Sequence, residues 1–533
     1  MSNIPLPSIT CDSLWKKIPF YTKLTFLSAV LLGLLAHAFV FTNFLPNHDV
    51  FYSMFNNLRT DGGTWSGRWF LRFPKIISSV FGMPWVNGIL GILYLAVTAC
   101  FIGSLLRVKT PIYCVLLAAL IVVFPVVAAT HFYIHTSDAI FFAAMLSSLA
   151  VHFTVRYRFG FCAGIPLLVF SLGIYQAYFA LAAGLFVAVL LLDALRGEKA
   201  KCTLLRGVRY VITLGAGMAI YLVTVRLTAG NNLTTYQGIN TMGQIPLSDL
   251  PTLIVEAYMY VIRYFRWNWY GDHFSSMRYL FALLAMLSGG LFCGLVIQKR
   301  MYRNLGNLLL LGLLLLLFPL AFNVVVIMNG VHHPPHLVMS YGLVLAPVFC
   351  LALLELAGAE TEKSKKIWHG YAVPIISWSV ALSLAVCTFG YWVRTNQAYF
   401  KQHLVYEQGY AFSNTLLTRI QSLEDYTGEE EIWLIGNAST DFSVHHSAPA
   451  LEVLLPMTGI IHSIPQTYSY GYFLRYFLGN VQEIRRPHYG DLREMGLVEI
   501  VEGMPFYPAD GSILRVHNRI VVRFSTNVYD PAH

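Results

Sequence analysis

Stretches of roughly 20 mostly apolar residues recur along most of this chain, and nothing else constrains its fold as strongly. A bilayer core about 30 Å thick needs about 20 helical residues to cross it. Inside lipid only helices or closed barrels satisfy their own backbone groups. Runs of that length lie near 24–45, 86–106, 110–130, 138–155, 209–227, 279–297, 305–328, 337–357 and 371–392. The stretch from Gly160 to Leu195 carries one charge, Asp193, near its end. It is too long for one helix and fits two, with a tight turn near Gly173-Ile174-Tyr175-Gln176. The expected fold class is therefore an all-α polytopic membrane protein with about eleven transmembrane helices. Charged residues make up only 12% of the chain, where a soluble domain carries about 25%. The first run is longer than a signal-peptide core and has no small-residue cleavage site behind it, so it reads as a retained helix.

Lys and Arg in the connections set the expected orientation. With residues 1–23 on the cytoplasmic side, the inner connections hold most of the basic residues, among them Lys16, Lys17, Lys23, Arg107, Lys109, Arg196, Arg206, Lys299, Arg300 and Lys366. The outer connections before the C-terminal region hold few: Arg59, Arg68, Arg72, Lys75, Arg263, Arg266 and Arg278, with Arg226 at a helix end. The membrane region 24–392 then carries long outer loops at 46–85 and 228–278, and everything after about Val393 lies outside. The net charge of +9 follows from this placement; it forms no basic stripe, and no nucleic-acid partner is expected. The eight cysteines fall in apolar runs or inner segments without metal-ligand spacing, so neither a disulfide framework nor a zinc site is expected. There is no phosphate-binding Gly loop, which argues against a nucleotide-driven pump.

Residues 393–533 differ in composition and read as a small α/β or α+β domain. A helical, amphipathic stretch from Asn396 to Leu423 precedes a strand-like run, Glu431-Ile432-Trp433-Leu434-Ile435. Near the end, Leu497–Val501 and Arg519–Phe524 flank the turn signal Pro508-Ala509-Asp510-Gly511, the pattern of a hairpin.

Polar residues gather in four outer segments. A carboxylate at the mouth of a membrane helix is costly to keep unless it is used, so ionisable groups there are functional-site candidates. The first segment opens with Asn47-His48-Asp49 and continues through Asp61 and Gly67-Arg68-Trp69 to Arg72 and Lys75. Its aromatics suit a helix lying in the membrane interface, and Asp49 would also serve as a helix cap. The second is His131-Phe-Tyr-Ile-His135-Thr-Ser-Asp138. Asp138 opens an apolar helix, where capping is again available. The two histidines are four apart but have no third ligand at metal spacing. The third, 228–278, interleaves Arg263 and Arg266 with Trp267 and Trp269 and includes Tyr236-Gln237. The fourth is a hairpin tip with His332, His333 and His336. Aromatic platforms with carboxylates suit carbohydrate, and cations at headgroup level suit a lipid phosphate.

The order and loop placement of these motifs resemble the serotype-converting O-antigen glucosyltransferases of bacteria and their phages (the Gtr type), which have the GT-C membrane architecture. The likeness runs over most of residues 20–360. It is carried by Asn47-His48-Asp49 followed by Gly67-Arg68-Trp69, by Ser137-Asp138, by Gly173-Ile174-Tyr175-Gln176-Ala177 and by Tyr236-Gln237-Gly238. The resemblance implies an integral glucosyltransferase of the bacterial inner membrane. It would move glucose or a close hexose from a polyprenyl-phosphate carrier to O-antigen or a lipid-linked acceptor on the periplasmic side. No cofactor is indicated by the sequence, and a divalent metal is left open. It also implies a first-loop carboxylate as general base. Family members often show two acids there; here His48 precedes Asp49, so Asp49 acts alone or with Asp61 or Asp138. Where relatives tend to carry an arginine near the last outer hairpin, this chain has histidines, including His336. The phosphate cation is then Arg68, Arg72 or Arg263, with Trp69, Tyr175, Gln176 and Tyr236 as further substrate contacts. A flippase for lipid-linked sugars is the alternative of a different class, and an O-antigen polymerase the alternative enzyme. A flippase would line its spans with polar groups at mid-depth, whereas here they gather at the outer ends.

Overall fold

The computed structural model describes residues 7–53, 63–78, 81–230, 232–235, 239–240, 243–266, 275–363, 367–436 and 470–525. The chain divides into two compact units, one of residues 1–42 with 57–396, the other of residues 43–56 with 397–533.

The first unit is a helical bundle. A short helix α1 (Pro7–Lys17) leads into α2 (Phe20–Thr42). The chain then runs through α4 (Arg72–Ile77), α5 (Pro84–Leu106), α6 (Pro111–Val123), α7 (Pro125–His131) and α8 (Ser137–Arg156). Helices α9 (Phe161–Ile174), α10 (Phe179–Leu195), α11 (Ala200–Ala229), α12 (Leu250–Arg266), α13 (Ser275–Gln298), α14 (Leu305–Phe322), α15 (Val325–Asn329) and α16 (Leu345–Lys363) follow. The long α17 (Ile367–Gln421) contains the division between the units. Among the described residues, ten helical segments are long and apolar enough to cross a membrane, and α9 is a shorter apolar helix of 14 residues. The protein is a multi-pass, all-α membrane protein with a small sheet at its C-terminal end.

Two local breaks follow from side-chain chemistry. Phe124 precedes Pro125 and is extended (ψ 137°), because a residue before proline is pushed out of the α region; this separates α7 from α6. The expected turn after Gly160–Leu195's first helix is present: α9 stops at Ile174, Tyr175 is extended, and a single 3₁₀ turn, Gln176–Tyr178, restarts the chain into α10. Close packing elsewhere uses small residues, as expected where helices meet without water. A side chain on Gly33 would meet Ile92 at 2.8 Å, so α2 and α5 approach only because glycine stands there.

One end of the bundle is laced by paired charges. Asp193 accepts from Arg206 at 2.6 Å and lies 3.9 Å from both Arg107 and Arg196. Arg206 also reaches Glu198 at 3.6 Å, and Lys299 meets Glu360 at 3.2 Å. Glu355 of α16 accepts the backbone N–H groups of Lys109 and Thr110 at 2.6 and 2.5 Å, capping α6 from across the bundle.

The second unit is a four-stranded sheet between two helical layers. Its strands are β1 (Glu431–Ile435), β2 (Ile484–Arg485), β3 (Ile513–Val516) and β4 (Arg519–Arg523), in the order β2-β1-β4-β3. β1 runs parallel to β2 and β4, and β3 antiparallel to β4. Ile432, Leu434, Ile520 and Val522 pack on Leu416, Leu417 and Ile420 of α17, and on Phe473 and Leu474 of α18 (Tyr470–Leu478). The opposite face sets Trp433, Ile435 and Val521 against Leu492 of α19 (Tyr489–Glu494), and against Leu497, Val501 and Met504 around α20 (Val498–Gly503). Burial on both faces explains why β1 reads as a continuous apolar run.

Two details differ from the sequence-based expectation. Leu497–Val501 is not a strand. Its β-branched residues suggest one, but Leu497, Val501 and Met504 recur at helical spacing and face the core together. The hairpin is instead Ile513–Val516 with Arg519–Arg523, turning at His517 and Asn518. The short helix α3 (His48–Ser53) also belongs to this second unit. Its Phe51 is fully buried in the core with Phe473, and Gln402 donates to the Pro46 carbonyl at 2.6 Å.

Candidate active site

The end of the bundle opposite the paired charges is organised around the loop 63–78. Gly63 (φ 88°) and Gly67 (φ 74°) flank a 3₁₀ turn, Thr64–Ser66, at backbone angles L side chains rarely adopt. Gly67 has a second reason to be glycine. A side chain there would sit 2.7 Å from the Tyr221 hydroxyl and 2.9 Å from the Gln176 amide nitrogen. Gln176 donates to the Ser66 carbonyl at 2.8 Å and to the Tyr221 hydroxyl at 2.9 Å, and Tyr221 donates to the Gly67 carbonyl at 3.2 Å. The Phe70 N–H donates to the Gly173 carbonyl at 2.8 Å. Gly173 in turn lies under the Trp69 ring, where any side chain would collide at 2.8 Å. The Gly-Arg-Trp loop is thus latched onto the α9–α10 turn and onto α11.

This latch holds a group of buried ionisable residues together. The Arg68 guanidinium lies 4.9 Å over the Tyr175 ring, a cation–π contact. Lys75, His135, Asp138 and Asn87 are all buried nearby. Asn87 donates to Asp138 at 2.9 Å while its own oxygen accepts the Met83 N–H at 2.9 Å; that second bond fixes which way the amide points. Burial pushes the Lys75 ammonium down to about 8, with the Asp138 charge opposing the fall. The His135 imidazole is held well below its ordinary range by burial and by the charges of Lys75 and Arg68, so it is neutral near pH 7. Arg68 Nε, Trp69 Nε1, His135 Nδ1 and Asp138 Oδ2 are buried without a hydrogen-bond partner. Each buried polar atom without a partner calls for a reason; others occur elsewhere, Arg209 Nε among them, but these four lie together behind one loop.

The structure therefore brings together Arg68, Trp69, Tyr175, Gln176 and Asp138 of the residues singled out from sequence. Gln176 uses its amide to hold the loop. Arg72 is exposed, with its guanidinium over Phe73 at 4.9 Å. Arg263 pairs with Glu256 on its own helix at 2.5 Å. His336 is exposed ahead of a 3₁₀ turn and accepts the Met339 N–H at 2.9 Å. Asp49 is the second residue of α3 in the other unit. Asp61 and Tyr236 lie outside the described residues. The two histidines four apart in sequence do not sit on one helix. His131 ends α7 and packs on His37, ring centroids 4.7 Å apart, whereas His135 follows in the turn. Among the described residues no three His, Cys, Asp or Glu side chains are grouped to hold a metal ion.

Lys75, Asn87 and Tyr221 carry much of the geometry but were not singled out as site residues from sequence. Asn87 and Tyr221 sit inside apolar runs, where one polar residue has many explanations. Within 228–278 the amphipathic α12 went unread, although its Leu253, Ala257, Tyr260 and Tyr264 at i, i+4, i+7 and i+11 form one buried face. Tyr260 shares a 2.7 Å hydrogen bond with Ser340, and the Thr234 N–H donates to the Trp65 carbonyl at 2.9 Å, tying this segment to the first loop.

Fold and site define a multi-pass membrane protein with a cluster of buried, incompletely matched polar groups behind the 63–78 loop. The chain belongs to the glucosyl transferase GtrII family, whose model matches residues 38–351, more than half of its length. It is accordingly a glucosyltransferase-family enzyme of the membrane. No curated protein and no solved structure matches it.

Proposed function

We propose that the protein transfers a hexose, glucose by its family, from a polyprenyl-phosphate carrier to O-antigen or a related lipid-linked acceptor at the periplasmic face of the bacterial inner membrane. The observation that carries this reading is the latched Arg68, a half-buried guanidinium with a buried, unused Nε, over the Tyr175 ring and within electrostatic reach of His135. A guanidinium fork matches phosphate oxygens better than any other side chain, and a lipid-borne donor accounts for hydrophilic chemistry in so apolar a protein. In the reaction the acceptor oxygen attacks the anomeric carbon and the bond from that carbon to the phosphate oxygen breaks. Its electron pair leaves with polyprenyl phosphate, stabilised by Arg68. A carboxylate takes the acceptor's proton, and direct displacement inverts the anomeric centre. We assign the proton to Asp49, the first-loop acid of the family pattern. Asp138 is the second reading, favoured by its burial among Lys75 and Asn87.

The experiment is incubation of the purified protein in detergent with polyprenyl-phosphate-glucose and candidate acceptors, read by mass. A glycosylated acceptor and free polyprenyl phosphate are expected. Movement of the lipid-linked sugar across reconstituted vesicles without any transfer would make the protein a flippase. Asp49→Asn and Asp138→Asn, compared side by side, decide which carboxylate is the base.

A further inference from the structure

Lys75 is the most buried cation at the site end, at 4% exposure, on a helix of only six residues. Among the described residues no carboxylate lies within ion-pair distance of it; Asp138 acts on it through charge alone. Asp138 of the bundle acts on it and is itself held by Asn87, and His135 of the α7–α8 turn lies within reach of both Lys75 and Arg68. A cation buried without a partner is expensive and is kept where an anion joins it. The other side of the same helix is apolar and open: Phe73 is 44% exposed, Ile76 and Ile77 58%. A ligand whose charge reached Lys75 would have hydrocarbon-compatible surface directly behind it.

We propose that Lys75 is a second ligand for the lipid phosphate of the donor, acting with Arg68, while Phe73, Ile76 and Ile77 face its hydrocarbon chain. This rests on the donor chemistry proposed above. Two cations, one fixed fork and one point charge, then share the phosphate oxygens as the glycosidic bond breaks. Because burial holds the free ammonium near 8, donor affinity is full below that pH and declines as the pH rises through it. The donor is a phosphodiester with one charge throughout that range and His135 is already neutral, so the decline belongs to Lys75.

The test measures binding of polyprenyl-phosphate-glucose by ligand-induced thermal shift, independently of transfer. Lys75→Met alone leaves the Asp138 carboxylate without its balancing charge, so the double variant Lys75→Met/Asp138→Asn is made beside it. The double variant should fold, yet bind donor roughly 10–100-fold more weakly, the usual worth of a charged hydrogen bond. Lys75→Arg should bind at neutral pH and lose the decline above pH 8. Wild-type affinity in the double variant, or the same decline in Lys75→Arg, would overturn the assignment and leave Lys75 as a counter-charge for Asp138. Displacement of the donor by inorganic phosphate at equal concentration would assign the pair to a soluble anion instead. A wild-type protein that binds no polyprenyl-phosphate sugar at all would refute the donor chemistry itself, a result distinct from these.

Discussion

The two ends of the helical bundle use charge in opposite ways. At one end Asp193 is surrounded by Arg107, Arg196 and Arg206, Lys299 meets Glu360, and Glu355 caps a helix. Every one of these groups has a partner and a structural reason to be there. At the other end Lys75, His135 and Asp138 are withdrawn from water and Arg68 half so, and Arg68 Nε, His135 Nδ1 and Asp138 Oδ2 have no hydrogen-bond partner. Paired charges hold connections in register; the unmatched ones are, in the function proposed above, the place where a ligand's charge would enter. The distinction is physical, because removing a partner from a buried pair costs stability whereas removing an unmatched group relieves it.

The largest effect that would sharpen this contrast is on turnover. Asp49→Asn keeps the size and most of the capping capacity of the side chain but cannot accept a proton. Transfer should fall roughly 10²–10⁴-fold, the usual contribution of a general base, with an unchanged melting temperature. Near-normal turnover in this variant would move the base to Asp138.

Next in size is Arg68. Arg68→Ala should raise the KM for the donor by about 10–100-fold, and Arg68→Lys should recover part of the loss, since Lys supplies charge without the fork. Equal donor kinetics in all three proteins would show that Arg68 serves only the loop, and the contrast between the ends would fail.

At the paired end the signs reverse. Asp193→Ala leaves three arginines without their common acceptor and should cost about 1–3 kcal/mol. That is less than a fully buried pair, because the arginines are partly solvated. Thermal unfolding in detergent reads the loss, and donor KM should not move. A selective loss of transfer without loss of stability would place chemistry at this end. The smallest effect is expected for Glu355→Gln, about 1 kcal/mol, from weakening a charged cap on α6.

Much of this was legible in the chain. Span-length apolar runs fixed the class of fold, and the Gly173–Gln176 turn was visible because a run of that length cannot be one helix. Arg68, Trp69 and Asp138 stood out as charges and aromatics beside apolar runs. Lys75 was visible but ambiguous, since a lysine among Phe73, Ile76 and Ile77 reads equally as one that snorkels to headgroup level. Only the packing of the loop turns it inward. The placing of 43–56 with the C-terminal unit had no local signal. Phe51 finds Phe473, and Pro46 finds Gln402, across 356 residues in the latter case. In the same way Leu497–Val501 looked like a strand until its partners on Trp433 and Val521 were known.

The cap on α6 has a consequence for how the protein is made. Thr110 receives Glu355 from 245 residues further along, and the Ile121 carbonyl receives the Tyr341 hydroxyl from 220 residues further along. During synthesis α6 enters the membrane long before either group exists. The early helices must wait, with an open end and a bare carbonyl, for the ninth of the ten span-length segments to arrive. A nascent chain arrested before Tyr341 should therefore hold its first helices in the lipid but remain sensitive to protease at the 107–110 connection, and gain protection only once the later residues have been inserted.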